Sequence, residues 1–129
     1  MTDVVVDATG VSAGAVDGDL DALRRVVRNV VENAAHHAAS RVSLSLGEHD
    51  WIVTFAVEDD GPGVAPPDRQ RAFERFVRLD GARTRTGHDG SGLGLAIVAE
   101  LVALHDGRVA MRDGTLGGTR IAIELPGHR

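Results

Sequence analysis

The chain has 129 residues, 43% of them hydrophobic and 26% charged, with a formal net charge of -5 at pH 7 and no cysteine. Such a chain supports one globular domain with a two-layer core, spanning residues 1–129. It excludes disulfides and thiolate metal sites, lacks the run of about 18 apolar residues that would span a membrane, and through its acidic balance disfavours a nucleic-acid surface. No charged start followed by an apolar centre marks a signal peptide, and the segment is expected to be soluble and cytoplasmic. All 14 basic residues are Arg. Arg suits phosphates through bidentate hydrogen bonds, and the abundance of Ala, Gly, Val and Asp beside it also fits a GC-rich genome.

Val4 to Val6 reads as a weak edge strand, followed by a loop rich in Gly, Ala and Asp as far as Gly18. Asp19 is a good N-cap for the run Leu20 to Ala38, LDALRRVVRNVVENAAHHA, because its carboxylate can accept free amide hydrogens at the positive helix end. At about 100° per residue, Leu20, Leu23, Val27, Val30, Val31, Ala34 and Ala38 fall on one side, the expected buried side. Asn29, Asn33 and His36 fall within about 60° of one another, with His37 beside them, and Arg24, Arg25, Arg28 and Glu32 take a third, solvated face. Asn is a poor helix-interior residue, because its amide competes for backbone groups. Two of them one turn apart either face water or have side-chain oxygens that are wanted.

Arg41 to Leu46 alternates with period two and Trp51 to Val57 continues apolar, with Gly47 to Asp50 as turn chemistry between them, predicting a hairpin. The second strand runs into Glu58-Asp59-Asp60-Gly61-Pro62-Gly63, where the glycines permit a tight turn and close approach. From Val64 to about Ser91 the pattern is weak: Pro66-Pro67, a short helical piece from Asp68 to Phe76 anchored by Phe73 and Phe76, then a polar run. So long a span with little structure reads as a lid or binding loop. Gly90-Ser91-Gly92-Leu93-Gly94-Leu95 opens a helix running to His105, an arrangement that aims free amide hydrogens at an anion. Gly107 ends that helix, Arg108 to Arg112 is a strand, Gly114 to Gly118 a turn, and Thr119 to Leu125 a last alternating strand closed by Pro126.

The glycine run alone is a weak signal. It does not follow a strand directly, as a dinucleotide fingerprint would, and no Lys follows it, as in a P-loop. Together the motifs are far more specific. Asn29-x-x-x-Asn33, Asp59-x-Gly61-x-Gly63, Gly90-x-Gly92-Leu93-Gly94-Leu95 and Gly117-Gly118-Thr119, in this order, resemble the ATP-binding domain of bacterial sensor histidine kinases. The resemblance runs from about Asp19 to Pro126. That family shares its Bergerat (GHKL) fold with gyrase-type topoisomerases, heat-shock chaperone ATPases and mismatch-repair ATPases. It implies an α+β protein: a two-layer α/β sandwich with a mixed, mostly antiparallel sheet under two helices, and a lid over ATP.

The resemblance also implies site roles. Asp59 would take the hydrogen bond from the adenine amino group, with Gly61 and Gly63 letting the base approach. Asn33 would place its amide oxygen on Mg²⁺, with Asn29 as a second or water-mediated ligand. Mg²⁺ takes few protein ligands beside phosphate oxygens and water. His36 stands where the family often has Lys or Arg on phosphate, a departure that weakens charge contact near pH 7. His37 could stack or donate, or be a surface residue. Arg78, matching the aromatic lid box, would be a candidate phosphate contact, Gly90, Ser91, Gly92, Leu93, Gly94 and Leu95 would form the phosphate cradle, and Thr119 would complete the nucleotide set. Arg83 and Arg85 are read as solvated lid charges.

ATPase branches of the fold resemble one another in a Glu four residues before the magnesium Asn. Here that position is Asn29, which cannot act as a base, so phosphoryl transfer to a protein nucleophile fits better than hydrolysis. The expected activity is that of a protein histidine kinase, as its catalytic domain only and weak in isolation. The acceptor is expected on a separate dimerisation domain or partner subunit, because nothing before Asp19 forms a two-helix domain and none of His36, His37, His88 and His105 suits the part. A response regulator would be engaged indirectly, and the segment would be an excised domain, including the cytoplasmic part of a membrane-bound kinase, or a split subunit. Two other readings stay open: an anti-sigma-type serine kinase of the same fold, disfavoured by the Phe73-Glu74-Arg75-Phe76 lid, and a degenerate nucleotide-sensing or protein-binding domain.

Overall fold

The structure, a computed structural model, describes residues 5–11, 14–74 and 94–128. Phe76, Arg78, Arg83, Arg85, His88, Gly90, Ser91, Gly92 and Leu93 lie outside the described residues. Strands β1 (Val5–Val11), β2 (Arg41–His49), β3 (Ile52–Asp59), β4 (Arg108–Asp113) and β5 (Thr119–Pro126) form one sheet in the order β1-β2-β3-β5-β4. Helices α1 (Leu20–His37) and α2 (Gly94–Leu104) belong to the core on one face of it. Only β1 and β2 pair in parallel, which requires the crossover that α1 supplies; the remaining pairs are antiparallel. The expected two-layer sandwich with a mixed, mostly antiparallel sheet is the architecture found.

Asp19 caps α1, its Oδ1 accepting from the backbone N–H of Asp21 at 2.9 Å and of Ala22 at 3.3 Å. The buried seam of α1 is Val26, Val30 and Ala34, meeting Val98 and Val102 of α2 and Val42, Val57, Ile121 and Ile123 of the sheet. Full burial of side chains such as Val30 and Ile123 stabilises the fold by roughly 1.5–3 kcal/mol each. This corrects the helical face read from sequence: Leu20 is 62% and Val27 43% exposed, whereas Val26 is buried. Because α1 packs against both α2 and β3, its buried arc is rotated toward Val26, and Leu20 is left at the rim of the first turn.

Other boundaries also moved. The edge strand is Val5–Val11 rather than three residues, since β2 offers a parallel partner along that length. Gly47 lies inside β2, and the β2–β3 hairpin turns on Asp50 and Trp51, both at positive φ (51° and 66°), the hand that matches strand twist. In place of a helix from Asp68 there are two 3₁₀ turns, Pro66–Asp68 and Arg71–Phe73. Pro66 and Pro67 bring no amide hydrogens to a longer helix, and Arg69 anchors the segment by donating to the Val64 carbonyl at 2.9 Å and pairing with Asp113. At the end of α2 the left-handed residue is Asp106 (φ 61°), not Gly107.

Candidate functional site

β3 delivers Asp59 to the corner where the sheet meets the end of α1. Its side chain is 4% exposed, and Oδ1 accepts the Gly61 N–H at 2.8 Å, which curls the chain back at once. Gly61 has no room for a side chain: a Cβ there would lie 2.1 Å from the His37 carbonyl oxygen. Gly118 is equally confined, since its Cβ would stand 2.4 Å from both the carbonyl and the Oδ1 of Asp59. Gly63 takes φ 80° and faces Gly118, and Thr119, 7% exposed, begins β5 beside it. Asp59, Gly61, Gly63, Gly118 and Thr119, distant in sequence, therefore share one corner.

Asp60 fixes that corner to α1. Its Oδ1 accepts the backbone N–H groups of Ala39, Ser40 and Arg41 at 2.8, 2.9 and 3.0 Å, and its Oδ2 the Ser40 hydroxyl at 2.7 Å. Those donors hold the Asp60 carboxyl well below the usual carboxylate range. The helix end and the Asp59 turn are thus tied together.

Asn29 and Asn33 are half-buried on α1, and His36 and His37 are exposed at its end with ring centroids 5.1 Å apart, edge to face. The Asn29 amide, in the orientation its hydrogen bond assigns, donates through Nδ2 to the Gly94 carbonyl at 3.2 Å. That bond ties the polar stripe to the start of α2. Between Asn29 and His37 the helix advances about 12 Å, at roughly 1.5 Å per residue. The site is an elongated one, with a buried carboxylate at one end and the N-terminus of α2, with its positive dipole end, at the other.

The structure thus assembles Asp59, Gly61, Gly63 and Thr119 at one pole and Asn29 with Gly94 at the other, with Asn33, His36 and His37 along the helix between. Leu95 is half-buried and packs against the core. Arg78 and Gly90 to Leu93 lie outside the described residues. One supporting residue escaped the sequence reading, Asp60. It carried a usable signal, because an Asp in a Gly-rich turn is a habitual backbone acceptor.

The family described as histidine kinase-, DNA gyrase B-, and HSP90-like ATPase matches residues 18–129. The sensor histidine kinase CpxA of Escherichia coli K12 is 50% identical over 74 residues, 57% of this chain and 16% of that protein. The signal transduction histidine-protein kinase BaeS of the same strain is 41% identical over 85 residues, 66% of this chain and 18% of that protein. The chain therefore spans less than a fifth of these relatives. Among solved structures, a mycobacterial sensor histidine kinase, MprB, superposes with a TM-score of 0.85 at 37% identity, covering 97% of this chain and 84% of that one. The ATP-binding domain of PrrB from Mycobacterium tuberculosis gives 0.78 at 32% identity, covering 98% and 82%.

Proposed function

Because the chain belongs to the family of histidine kinase-, DNA gyrase B- and HSP90-like ATPases, we propose that it binds Mg-ATP and donates the γ-phosphoryl group to a histidine on a separate dimerisation domain or partner chain. The observation that carries this reading is Asp59, a buried carboxylate walled by Gly61 and Gly118. A carboxylate accepts hydrogen bonds only, so it selects the amino group of adenine and rejects the carbonyl that guanine presents at that position. With the base at Asp59, the triphosphate extends along α1 toward Asn33, Asn29 and the start of α2.

Two neutral amide oxygens suit an ion that takes most of its ligands from phosphate and water. The Asn29 bond to Gly94 uses its NH₂ end, so the carbonyl end is the one for a cation. Asn33 and Asn29 would hold Mg²⁺ there, and the ion would neutralise phosphate charge. Arg78 and the run Gly90 to Leu95 serve the phosphates in the same reading. Asn29 accepts no proton from water, so catalysis comes from positioning the γ-phosphoryl group for an incoming imidazole. The sensor kinases among its relatives support a histidine acceptor over the serine acceptor of an anti-sigma-type kinase. Among the described residues no helix is long and apolar enough to cross a membrane; ATP as donor places the site on the cytoplasmic side.

The test is a calorimetric titration of the chain with ATP, with and without Mg²⁺, for the native sequence, Asp59→Asn and Asn33→Ala, with phosphate release followed in parallel. Magnesium-sensitive binding that both variants weaken, with negligible turnover, is expected. A chain that binds no nucleotide, or one that hydrolyses ATP rapidly alone, overturns the reading.

A further inference from the structure

Glu58 is only 9% exposed, on the sheet face opposite Asp59, and takes no part in the site described above. Its Oε1 accepts the Thr115 backbone N–H at 2.6 Å and the Thr115 hydroxyl at 2.9 Å, while Oε2 accepts from Arg120 Nη1 at 3.0 Å. Thr115 belongs to the turn between β4 and β5, which the Gly114 N–H closes on the Gly118 carbonyl at 2.9 Å. Gly118, at the far end of that turn, is the residue with no Cβ space beside Asp59. Glu58 thus grips from one side of the sheet the turn that walls Asp59 on the other. Burial opposes its ionisation, but the Thr115 and Arg120 bonds outweigh that and hold the carboxyl below its usual range.

We propose that Glu58 is a positioning residue for the nucleotide base: by holding Thr115 it fixes Gly118 and Thr119 against Asp59, and so sets base discrimination without touching the nucleotide. The inference rests on the reading of Asp59 as the adenine-selecting group. A carboxylate serving the sheet alone would need only its cross-strand partner Arg120; two of the three bonds go to the turn instead. Charge-assisted bonds to a buried carboxylate are among the stronger local restraints.

The test measures ATP and GTP affinity of the 129-residue chain for Glu58→Ala, Glu58→Gln, Thr115→Val and Asp59→Asn, with Val102→Ala as a control that lowers Tm from within the core. Glu58→Ala is expected to weaken ATP about tenfold, the equivalent of roughly 1.4 kcal/mol, and to narrow the preference for ATP over GTP. Glu58→Gln, which keeps an acceptor for Thr115, and Thr115→Val should show smaller losses in the same direction. Backbone amides at Gly114 and Thr115 should lose hydrogen-exchange protection, whereas Val102→Ala keeps affinity and preference despite its lower Tm. If Glu58→Ala does not fold, Glu58→Gln and Thr115→Val carry the comparison. Unchanged affinity and preference in the Glu58 and Thr115 variants, with Asp59→Asn impaired, overturns this inference alone. If Asp59→Asn also binds as the native chain does, the adenine reading has failed and takes the inference with it.

Discussion

The Nε2 of His105, one residue beyond α2, accepts the backbone N–H of Asp19, the N-cap of α1, at 3.1 Å. Its Nδ1 then carries the hydrogen and donates to the Leu101 carbonyl at 2.8 Å. One neutral imidazole therefore joins the end of one helix to the beginning of the other. His105→Ala should cost about 1–3 kcal/mol, through an unpaired N–H and lost packing. Because the bond is to the backbone of Asp19, Asp19→Ala leaves it intact and should cost only its cap, about 1 kcal/mol. Denaturant titration of both single variants and the double should find the two effects additive to about 0.5 kcal/mol; a strong coupling would mean that the Asp19 carboxylate, not its N–H, carries the link.

Acid should unfold the protein through Glu58 and Asp60. Both carboxyls are held below their usual values of 4.5 and 3.8 in the folded chain. A depressed folded value contributes stability that is complete above the unfolded value and is lost as pH falls through the folded one. Stability should therefore be level above about pH 5 and decline steadily below it. Asp60→Asn and Glu58→Gln should each flatten that acid limb in thermal melts between about pH 3 and 7. Identical slopes in all three proteins would remove these two groups from the explanation.

Gly61→Ala should be far more damaging than its single methyl suggests. The new Cβ would meet the His37 carbonyl, which belongs to the backbone of α1 and cannot swing aside. A loss of roughly 1–3 kcal/mol, typical of overpacking, is expected in melts. Nucleotide binding should weaken with it, because the Asp59 turn and the helix end must separate. An unperturbed melting temperature would mean that the turn yields more readily than the geometry implies.

The rotated face of α1 gives a direct comparison. Val30 is fully buried and Leu20 is 62% exposed. Val30→Ala should cost about 2 kcal/mol, whereas Leu20→Ala, although it removes more carbon, should stay within about 0.5 kcal/mol. Chemical denaturation of the pair decides it, and equal losses would restore the face that periodicity alone suggests.

Much of the candidate site was legible because its signals are local. Two Asn residues one turn apart, a Gly-rich strand end and a Gly-rich helix start each break the rule of their own element, and such breaks stand out in one dimension. The structure brings the strand-end break at Asp59 and Gly61 together with Gly118 and Thr119. Val26 was missed because helical periodicity locates an apolar arc only coarsely, and α2 chooses which edge of that arc is covered.

By itself the sequence determined the order of the five strands and the two α-helices, and the family. A 3.6-residue period, a two-residue period and the glycine stops are properties of neighbouring residues, which any compact fold of this chain must respect. Only the tertiary structure decided which polar groups meet: the His105 ring with the Asp19 backbone N–H across 86 residues, and the Glu58 carboxylate with Thr115 across 57. Those pairings follow from how β5 inserts between β3 and β4 and how α1 lies against α2. The reason is physical: burial rewards the closure of the whole sheet and helix layer at once, and the polar partners of a residue are whichever groups that closure brings within hydrogen-bond reach.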